Sequence, residues 1–175
     1  YNKYFDKQTA KVIFEKYKQF DYITGSNVFA HIDDIHSVVE ASKILLKKNG
    51  KLVIEVHYLL DLIKLNQYDF FYHEHLNYYT INSLVHLFNS YDLTISKIKK
   101  INVHGGSLRI TAIHKNKNNK FNSKTLKKMI LLEKKVNLKY FKKFEKNIHF
   151  QKKNILKILN NLISQKKQIF GFGAS

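Results

Sequence analysis

The sequence contains no cysteine, no proline and no tryptophan, and only one of its 31 basic residues is an arginine, Arg109. Without cysteine, these 175 residues cannot form a disulfide scaffold, a cysteine-ligated zinc site or a thiol nucleophile. No apolar run approaches the roughly 20 residues that cross a membrane. The first residues are polar and aromatic, unlike a signal peptide, so the predicted location is cytoplasmic.

The positive charge is concentrated in one part of the chain. Hydrophobic residues make up 44% of the sequence, enough for one domain with a core, and the formal net charge is +18. Residues 1–114 hold 14 basic and 11 acidic side chains, whereas residues 115–175 hold 17 lysines and only two acidic side chains, Glu133 and Glu145. The first two-thirds of the chain is therefore predicted to be a nearly neutral globular unit.

The first third of the chain alternates between helical and extended patterns. Residues 9–20 place apolar side chains on one helical face, and residues 21–29 have the pattern of a short buried strand. Asp33 or Asp34 can cap the next helix, and a second apolar strand follows at residues 51–56. Apolar strands that alternate with helices predict an α/β fold with a parallel sheet.

Two more helices and two extended segments follow. The helices are predicted at residues 58–65 and 82–90, and the extended segments at residues 94–103 and 107–114. The glycine-containing turn at residues 104–106 joins the two extended segments, which predicts an antiparallel hairpin.

The lysine-rich remainder has a helical pattern and then an extended one. From residue 123 to residue 164, apolar side chains recur at helical spacing, which predicts one long amphipathic helix or two, with the apolar stripe against a core or a partner. Residues 168–175 have the pattern of a strand that runs into a glycine turn. Because such a strand needs a partner, we expect this sequence to be a fragment of a longer protein.

The segment from Tyr72 to Tyr79 is the richest in side chains that carry chemistry. His75 could act as a general base because the unperturbed pKa of histidine, about 6.5, lies near working pH. Glu74 could orient that base, and Tyr72 could donate a hydrogen bond to a developing oxyanion. Two other interpretations stay open at this point: a polar surface loop, or a metal site in which His73 and His75 share one face of a strand.

Two further segments contain candidate binding residues. Asn27 and His31 follow the first predicted strand, where ligands bind in open α/β sheets, although they could equally be turn and helix-start residues. The glycine turn precedes Ser107 and Arg109, and a lone arginine among many lysines suggests recognition of a phosphate or carboxylate. The alternative is an ordinary hairpin turn with an exposed arginine.

Taken in order, five segments resemble one family, the NDP-hexose (deoxysugar) C-methyltransferases, which methylate a ring carbon of a nucleotide-linked 4-keto-sugar. The segments are Asn27–Asp34, Glu55–Asp61, Tyr72–Tyr78, His104–Arg109 and Gly171–Ala174. The resemblance implies the second half of a class I (Rossmann-like) methyltransferase sheet, with a terminal antiparallel hairpin and then a long amphipathic helical connector.

The resemblance also implies domain limits and a cofactor. Residues 1–114 would be the C-terminal half of the methyltransferase domain, residues 115–167 a basic connector, and residues 168–175 the first strand of a truncated C-terminal α/β domain. The cofactor would be S-adenosylmethionine. Zinc is expected only in an N-terminal region that this sequence lacks, together with the glycine-rich cofactor loop. The isolated chain is therefore expected to be inactive and to bind S-adenosylmethionine poorly.

The same resemblance assigns roles to individual residues. His75 would be the base that forms an enolate from the keto-sugar, Tyr72 and Glu74 would position or polarise that sugar, and His31 would contact it near the keto oxygen. Where the family usually has proline, this sequence has His57, a change expected to alter the turn rather than the chemistry.

The remaining roles concern the cofactor and the substrate phosphates. Residues Asn27, Val28, Phe29 and Ala30 would contact the methionine part of the cofactor. From chemistry alone, Ser107 and Arg109 could contact the nucleotide phosphates. The implied partner is a small nucleotide-sugar, with no protein-bound metal in these residues and no membrane.

Two other functions stay open. One is methyl transfer to a different small-molecule acceptor, because this part of the fold constrains the substrate loosely. The other is nucleic-acid binding by residues 115–167. It is disfavoured because the lysines surround an apolar stripe on several faces and no nucleic-acid motif accompanies them.

Overall fold

A computed structural model of the chain describes residues 1–103, 105–116 and 124–172. The predicted α/β class is confirmed. In chain order, the elements are α1 (Lys7–Tyr17), β1 (Phe20–Ser26), α2 (Ile35–Leu45), β2 (Leu46–His57), α3 (Leu59–Lys64), α4 (Ile81–Asn89), β3 (Leu93–Ile101), β4 (Ser107–His114), α5 (Lys124–Glu133) and α6 (Leu138–Ser164).

Side-chain caps define where α1, α2 and α4 begin. The Asp6 carboxylate accepts the Thr9 backbone N–H at 2.7 Å at the start of α1, and this bond holds the pKa of Asp6 below its ordinary value. Of the two candidate caps for α2, Asp34 fills the role by accepting the Ser37 N–H at 3.0 Å. Helix α4 begins with a capping box between Thr80 and Ser83.

The four strands form one mixed sheet in the order β1-β2-β4-β3. β1 and β2 are parallel, and β4 lies antiparallel to both β2 and β3, which confirms the predicted parallel pair and the predicted hairpin. β2 begins at Leu46, immediately after α2 and five residues before its predicted start. The reason is tertiary: Leu46 pairs with Phe20 at the beginning of β1.

The core lies between the sheet and the helices packed on it. Leu84, Leu87 and Phe88 of α4 are buried, as their spacing predicted. They belong to a cluster whose fully buried members from the strands and from α2 include Val39, Leu46, Leu52, Ile54, Leu93, Leu108 and Ile110. Burying a Leu or Ile side chain contributes about 1.5–3 kcal/mol, so this cluster fixes the sheet on which the loops after β1 and β2 stand.

The turn between β3 and β4 depends on its glycines. Gly105 and Gly106 have φ values of 72° and 119°, a region that glycine occupies without steric cost. His104, which the family resemblance includes in its motif, lies outside the described residues. After β4, helix α5 packs on α4 and belongs to the same compact unit, Tyr1–Lys135, so that unit extends past the predicted boundary at residue 114.

Residues 136–175 form a second compact unit. Its helix α6 is capped by Asn137, whose side chain accepts the Tyr140 N–H at 3.3 Å. The predicted helical segment from residue 123 to residue 164 is therefore two helices, and their stripe differs in burial. Met129 of α5 is buried, whereas none of the described residues of α6 is. What covers the apolar stripe of α6, a core or a partner, stays a prediction.

The end of the chain is described as far as Phe172. Residues 167–172 belong to no helix or strand in this described part, and residues 173–175 lie outside it. The C-terminal domain and its first strand therefore stay predictions. Among the described helices, none has the length and apolarity that crossing a membrane would require.

Candidate active site

The candidate site is an open cleft of about 330 Å³ at the carboxyl ends of the two parallel strands. Asn27 follows the last residue of β1, and His57 is the last residue of β2. Ligands bind at this edge of α/β sheets because the loops there present polar groups beyond the strand ends. The cleft is lined by Asn27, His31, His57, Asp69, Phe70, Tyr72 and His75.

Two predicted motifs, distant in sequence, are joined by backbone hydrogen bonds. The backbone N–H groups of Leu76 and Asn77 both donate to the Ala30 carbonyl, at 2.8 and 3.1 Å. The Asn77 side chain donates to the Ile32 carbonyl at 2.6 Å. The loop after β1 therefore holds the histidine-containing loop in place, and His31 and His75 meet with their ring centroids 4.9 Å apart.

Tyr79 is a third link between the two loops. Its hydroxyl donates to the Phe29 carbonyl at 2.8 Å, and its side chain is buried. Burial raises its pKa well above the ordinary value for tyrosine, because the phenolate would lose its solvation there. The fold consequently requires Tyr79 in its neutral, donating form.

We expect Tyr79→Phe to lower stability at neutral pH by about 1–3 kcal/mol, because the variant leaves the buried Phe29 carbonyl without its donor. At high pH the wild type loses part of this stability advantage over the variant. Above about pH 10 the unfolded wild-type chain ionises Tyr79 while the folded chain does not, so the wild type loses up to about 1.4 kcal/mol per pH unit that the variant does not lose. Urea unfolding between pH 7 and 11.5 measures both effects. Exposed Tyr22, changed to Phe, is the control, and parallel pH curves for wild type and Tyr79→Phe would contradict the prediction.

The protonation pattern of His75 follows from its hydrogen bonds. Nδ1 lies 2.7 Å from the Phe70 carbonyl oxygen, which can only accept, so Nδ1 carries a proton and donates it. In the neutral ring the lone pair is then on Nε2, which lies 3.3 Å from the Tyr72 hydroxyl. The side chain is 8% exposed. His75 thus presents an unprotonated nitrogen beside a phenol, which is the arrangement of a general base with an adjacent donor.

The Phe70 carbonyl also accepts the Tyr78 hydroxyl at 3.2 Å. Burial raises the pKa of Tyr78 above its ordinary value, so this phenol stays a donor. The Phe70 carbonyl thus accepts two hydrogen bonds, one of them from Nδ1 of His75, while Nε2 of the same ring faces the cleft. The ring orientation is therefore set before any ligand enters.

The structure brings some of the predicted site residues together and leaves others apart. Asn27, His31, Tyr72 and His75 line the cleft. Glu74 is exposed and is not one of the lining residues among those described, so its role stays a prediction.

The residues predicted to contact the cofactor lie on the same loop but differ in exposure. Val28 and Phe29 line a second, larger cavity of about 860 Å³, and His31 lines both cavities. Ala30 is buried, and its carbonyl already accepts two N–H groups. Only Val28 and Phe29 of this set therefore offer side-chain surface to the larger cavity.

The predicted phosphate-binding residues are engaged elsewhere. Ser107 is buried and its hydroxyl donates to the Val103 carbonyl at 3.1 Å. Arg109 lies opposite Glu55 on β2 and forms an ion pair with it at 2.5 Å, while Glu55 also accepts the Ser26 hydroxyl. A phosphate at Arg109 would have to compete with this carboxylate, and their role as phosphate ligands stays a prediction.

Sequence reasoning missed three lining residues, His57, Asp69 and Phe70. His57 could have been found from its position, because a polar residue at the carboxyl end of a buried parallel strand faces the ligand edge of the sheet. Nothing in the sequence around Asp69 distinguishes it from an exposed loop carboxylate. Among the described residues, no group of three or more His, Asp or Glu side chains has an arrangement that could hold a metal ion.

Comparisons with known proteins agree on one class. Residues 2–98 match the family model described as a methyltransferase domain, and residues 102–175 match the one described as a C-methyltransferase C-terminal domain. The curated C-methyltransferase NovU from Streptomyces niveus is 41% identical over 90 residues, which are 51% of this chain and 21% of that relative. The chain thus matches about a fifth of the length of this relative.

Similar solved structures include two methyltransferases. The magnesium protoporphyrin IX methyltransferase ChlM from Synechocystis PCC 6803, with bound SAH, has a TM-score of 0.44 at 11% identity, covering 55% of this chain and 45% of that one. A SAM-dependent methyltransferase from Methanosarcina mazei has a TM-score of 0.44 at 13% identity, covering 55% and 60%.

Proposed function

We propose that this chain, which belongs to the methyltransferase domain family, forms part of a C-methyltransferase that transfers a methyl group from S-adenosylmethionine to a ring carbon of a nucleotide-linked 4-keto-deoxysugar. The observation that carries the proposal is the state of His75, whose Nδ1 donates to a carbonyl while Nε2 meets Tyr72 in the cleft. Carbon methylation needs such a base, because a ring C–H must lose its proton before the carbon can attack.

The residues of the larger cavity fit the methyl donor. The lining of this cavity includes the apolar residues Ile23, Val28 and Phe29 and the polar or acidic residues Thr24, Asp33 and Asp34. A cationic ligand with an adenosine arm and an amino-acid arm needs this combination of apolar surface and anionic or polar groups. When bound, S-adenosylmethionine supplies an electrophilic methyl group on a sulfonium sulfur.

The residues of the smaller cleft fit the acceptor half of the reaction. The keto group of the sugar acidifies the neighbouring ring carbon, and Nε2 of His75 takes the proton from it. The resulting enolate places negative charge on the former keto oxygen, where the Tyr72 hydroxyl or a His31 N–H can donate a hydrogen bond. Because His31 lines both cavities, the acceptor carbon and the donated methyl group would meet beside it.

The test is methyl transfer by the intact protein. With methyl-labelled S-adenosylmethionine and an NDP-4-keto-6-deoxyhexose, we expect a new carbon-bound methyl group in the NMR spectrum of the sugar. In D₂O without the methyl donor, we expect the ring proton next to the keto group to exchange for deuterium, since the base acts before transfer. The isolated chain of residues 1–175 is the matched control, expected to show neither reaction.

Three results would contradict the proposal. An O-methyl or N-methyl product would exclude carbon attack. Transfer to an acceptor without a keto group would favour another small-molecule substrate. Rapid methyl transfer by residues 1–175 alone would show that the expected division between this chain and the rest of the protein is wrong.

A further inference from the structure

The turn between β3 and β4 carries two glycines that the proposed mechanism does not use. Gly105 lies against the side chain of Gln67, so closely that a Cβ at residue 105 would overlap the Gln67 amide group. A Cβ at Gly106 would lie 3.0 Å from the Cβ of Asp61 on α3. The turn therefore approaches both α3 and the loop that joins α3 to α4, residues 65–80.

The turn is attached to α3 by contacts that do not involve Gln67. Near the end of β3, the Lys100 ammonium group donates to both carboxylate oxygens of Asp61, each at 2.8 Å. The Tyr58 backbone N–H, just before α3, donates to the Gly106 carbonyl at 3.4 Å. The space beside Gly105 that holds the Gln67 amide, here called the glycine seat, is therefore built by the hairpin and α3 rather than by Gln67 itself.

The backbone of Gln67 is fixed by the way in which α3 ends. Asn66 has a φ of 54°, and its N–H donates to the Ile63 carbonyl at 3.2 Å. The Gln67 N–H donates to the Leu62 carbonyl at 2.9 Å. These two bonds form a Schellman motif, which sets the direction of the chain after a helix. Gln67 thus leaves α3 in a defined direction with its side chain on the glycine turn.

From Gln67, two hydrogen bonds lead to the proposed base. The Gln67 carbonyl accepts the Phe70 N–H at 3.4 Å, and the Phe70 carbonyl accepts Nδ1–H of His75 at 2.7 Å. The Phe70 carbonyl decides which nitrogen of the neutral His75 ring carries the proton. A displacement of Gln67 would therefore move the acceptor on which the state of His75 depends.

We propose that Gln67 is a positioning residue for this reaction: its side chain, held in the glycine seat, places the Phe70 carbonyl so that Nε2 of His75 faces the cleft. The seat requires the length and volume of the side chain rather than its polarity, because Oε1 of Gln67 is buried and has no hydrogen-bond partner in the described part of the chain. The consequence for catalysis rests on the proposed function, but the positioning of His75 does not.

Two substitutions in the intact protein separate volume from polarity. Gln67→Met keeps a long unbranched side chain and discards the unpaired oxygen, whereas Gln67→Ala empties the glycine seat. We compare them by ¹⁵N NMR of the histidine rings at about pH 8.5, where histidine is neutral, without substrate or methyl donor. Wild type and Gln67→Met should show His75 protonated on Nδ1 alone. Gln67→Ala should lose the hydrogen-bonded Nδ1–H signal and show a mixture of both tautomers.

Activity should follow the same order. In Gln67→Ala we expect kcat to fall by about 10- to 100-fold, because a displacement of about 1 Å in a catalytic group can cost that much. Gln67→Met should stay within about threefold of the wild type, and the affinity for S-adenosylmethionine should stay within about twofold in both variants, since Gln67 does not line the larger cavity. Gln8→Ala, at an exposed glutamine of α1, is the matched control and should change neither the tautomer nor kcat.

Gly105→Ala tests the other side of the contact. The new methyl group would overlap the Gln67 amide, and the φ of 72° at this residue adds backbone strain that no change at Gln67 relieves. The double variant Gly105→Ala/Gln67→Ala removes the overlap. Its kcat should therefore exceed, by about threefold or more, the value that the two single losses predict when multiplied. Strain alone would leave the losses multiplicative and would contradict the contact.

The wild type provides a test that needs no variant, because a nuclear Overhauser effect should connect the Gly105 α-protons with the side-chain NH₂ of Gln67. The absence of this signal would overturn the proposal, as would an unchanged His75 tautomer in folded Gln67→Ala, which is the result expected if Gln67 only stabilises the fold. The predicted tautomer change in a protein that does not methylate the keto-sugar would support the positioning role and contradict the proposed substrate alone.

Discussion

Replacing His75 by Asn in the intact protein is expected to lower turnover by about 10²–10⁴-fold, which is the usual contribution of a positioned general base. Asn is the informative substitution because its amide N–H can still donate to the Phe70 carbonyl, as Nδ1 of His75 does at 2.7 Å. What the variant loses is the nitrogen that faces Tyr72 and the cleft. The variant therefore removes the base while it keeps the hydrogen bond that holds the loop.

The affinity for S-adenosylmethionine should stay within about twofold in this variant, since the cavity that fits the methyl donor is lined by residues of the loop after β1 and not by His75. Calorimetric titration of the methyl donor and deuterium exchange at the ring carbon measure the two properties independently. His73→Asn is the matched control, because His73 is an exposed histidine two residues away that does not line the cleft. Equal losses of affinity and turnover would make His75 a structural residue.

The fold was largely predictable because its apolar patterns are local. The four strands and most helices occur where the spacing of apolar residues predicts them. The parallel pair follows from two buried strands that are separated by a helix. The start of β2 could not be predicted in this way. Residues 46–50 contain two lysines, an asparagine and a glycine, and they are extended because Leu46 pairs with Phe20, a contact that local sequence does not encode.

The candidate site was predictable where its residues are close in sequence. It was not predictable where the register between two strands determines which side chains meet. Tyr72 and His75 are three residues apart, and their hydrogen bond follows from the compact turn that contains them. Arg109, in contrast, was expected to be available for phosphate. Its pairing with Glu55 depends on the antiparallel register of β2 and β4, in which the two residues lie opposite one another.

Glu133 shows the same limitation, with the largest expected effect on stability. In the sequence it is one of two acidic residues in a lysine-rich segment, which favours a solvated position. In the structure it is 7% exposed at the end of α5 and accepts three hydrogen bonds. Oε1 accepts the Ile81 N–H at 2.5 Å and the Tyr58 hydroxyl at 3.1 Å, and Oε2 accepts the Asn82 N–H at 2.9 Å.

These contacts satisfy the first backbone donors of α4, which have no partner within the helix. The carboxylate also lies at the positive end of the helix dipole, where negative charge is stabilised. Removing it would take the acceptor from the buried Ile81 N–H and from the partly buried Asn82 N–H, and would remove one hydrogen bond of the Tyr58 hydroxyl. Each unsatisfied buried donor costs about 1–3 kcal/mol, so we expect Glu133→Ala to lower the free energy of unfolding by about 3–5 kcal/mol.

Glu133→Gln should lie between the wild type and Glu133→Ala, because the amide retains one carbonyl oxygen as an acceptor but places an NH₂ group where the second acceptor stood. Urea unfolding followed by far-UV circular dichroism gives the overall loss. Hydrogen exchange at the Ile81 and Asn82 amides reports the local contacts directly, and their protection should fall in both variants. Glu145→Ala, at the other acidic residue of this segment, exposed on α6, is the matched control and should change stability by less than about 0.5 kcal/mol. If Glu133→Ala is no more destabilising than this control and the two amides keep their protection, the carboxylate does not hold α5 against the start of α4. The packing of α5 on the rest of its unit must then rest on Met129 and its apolar neighbours alone.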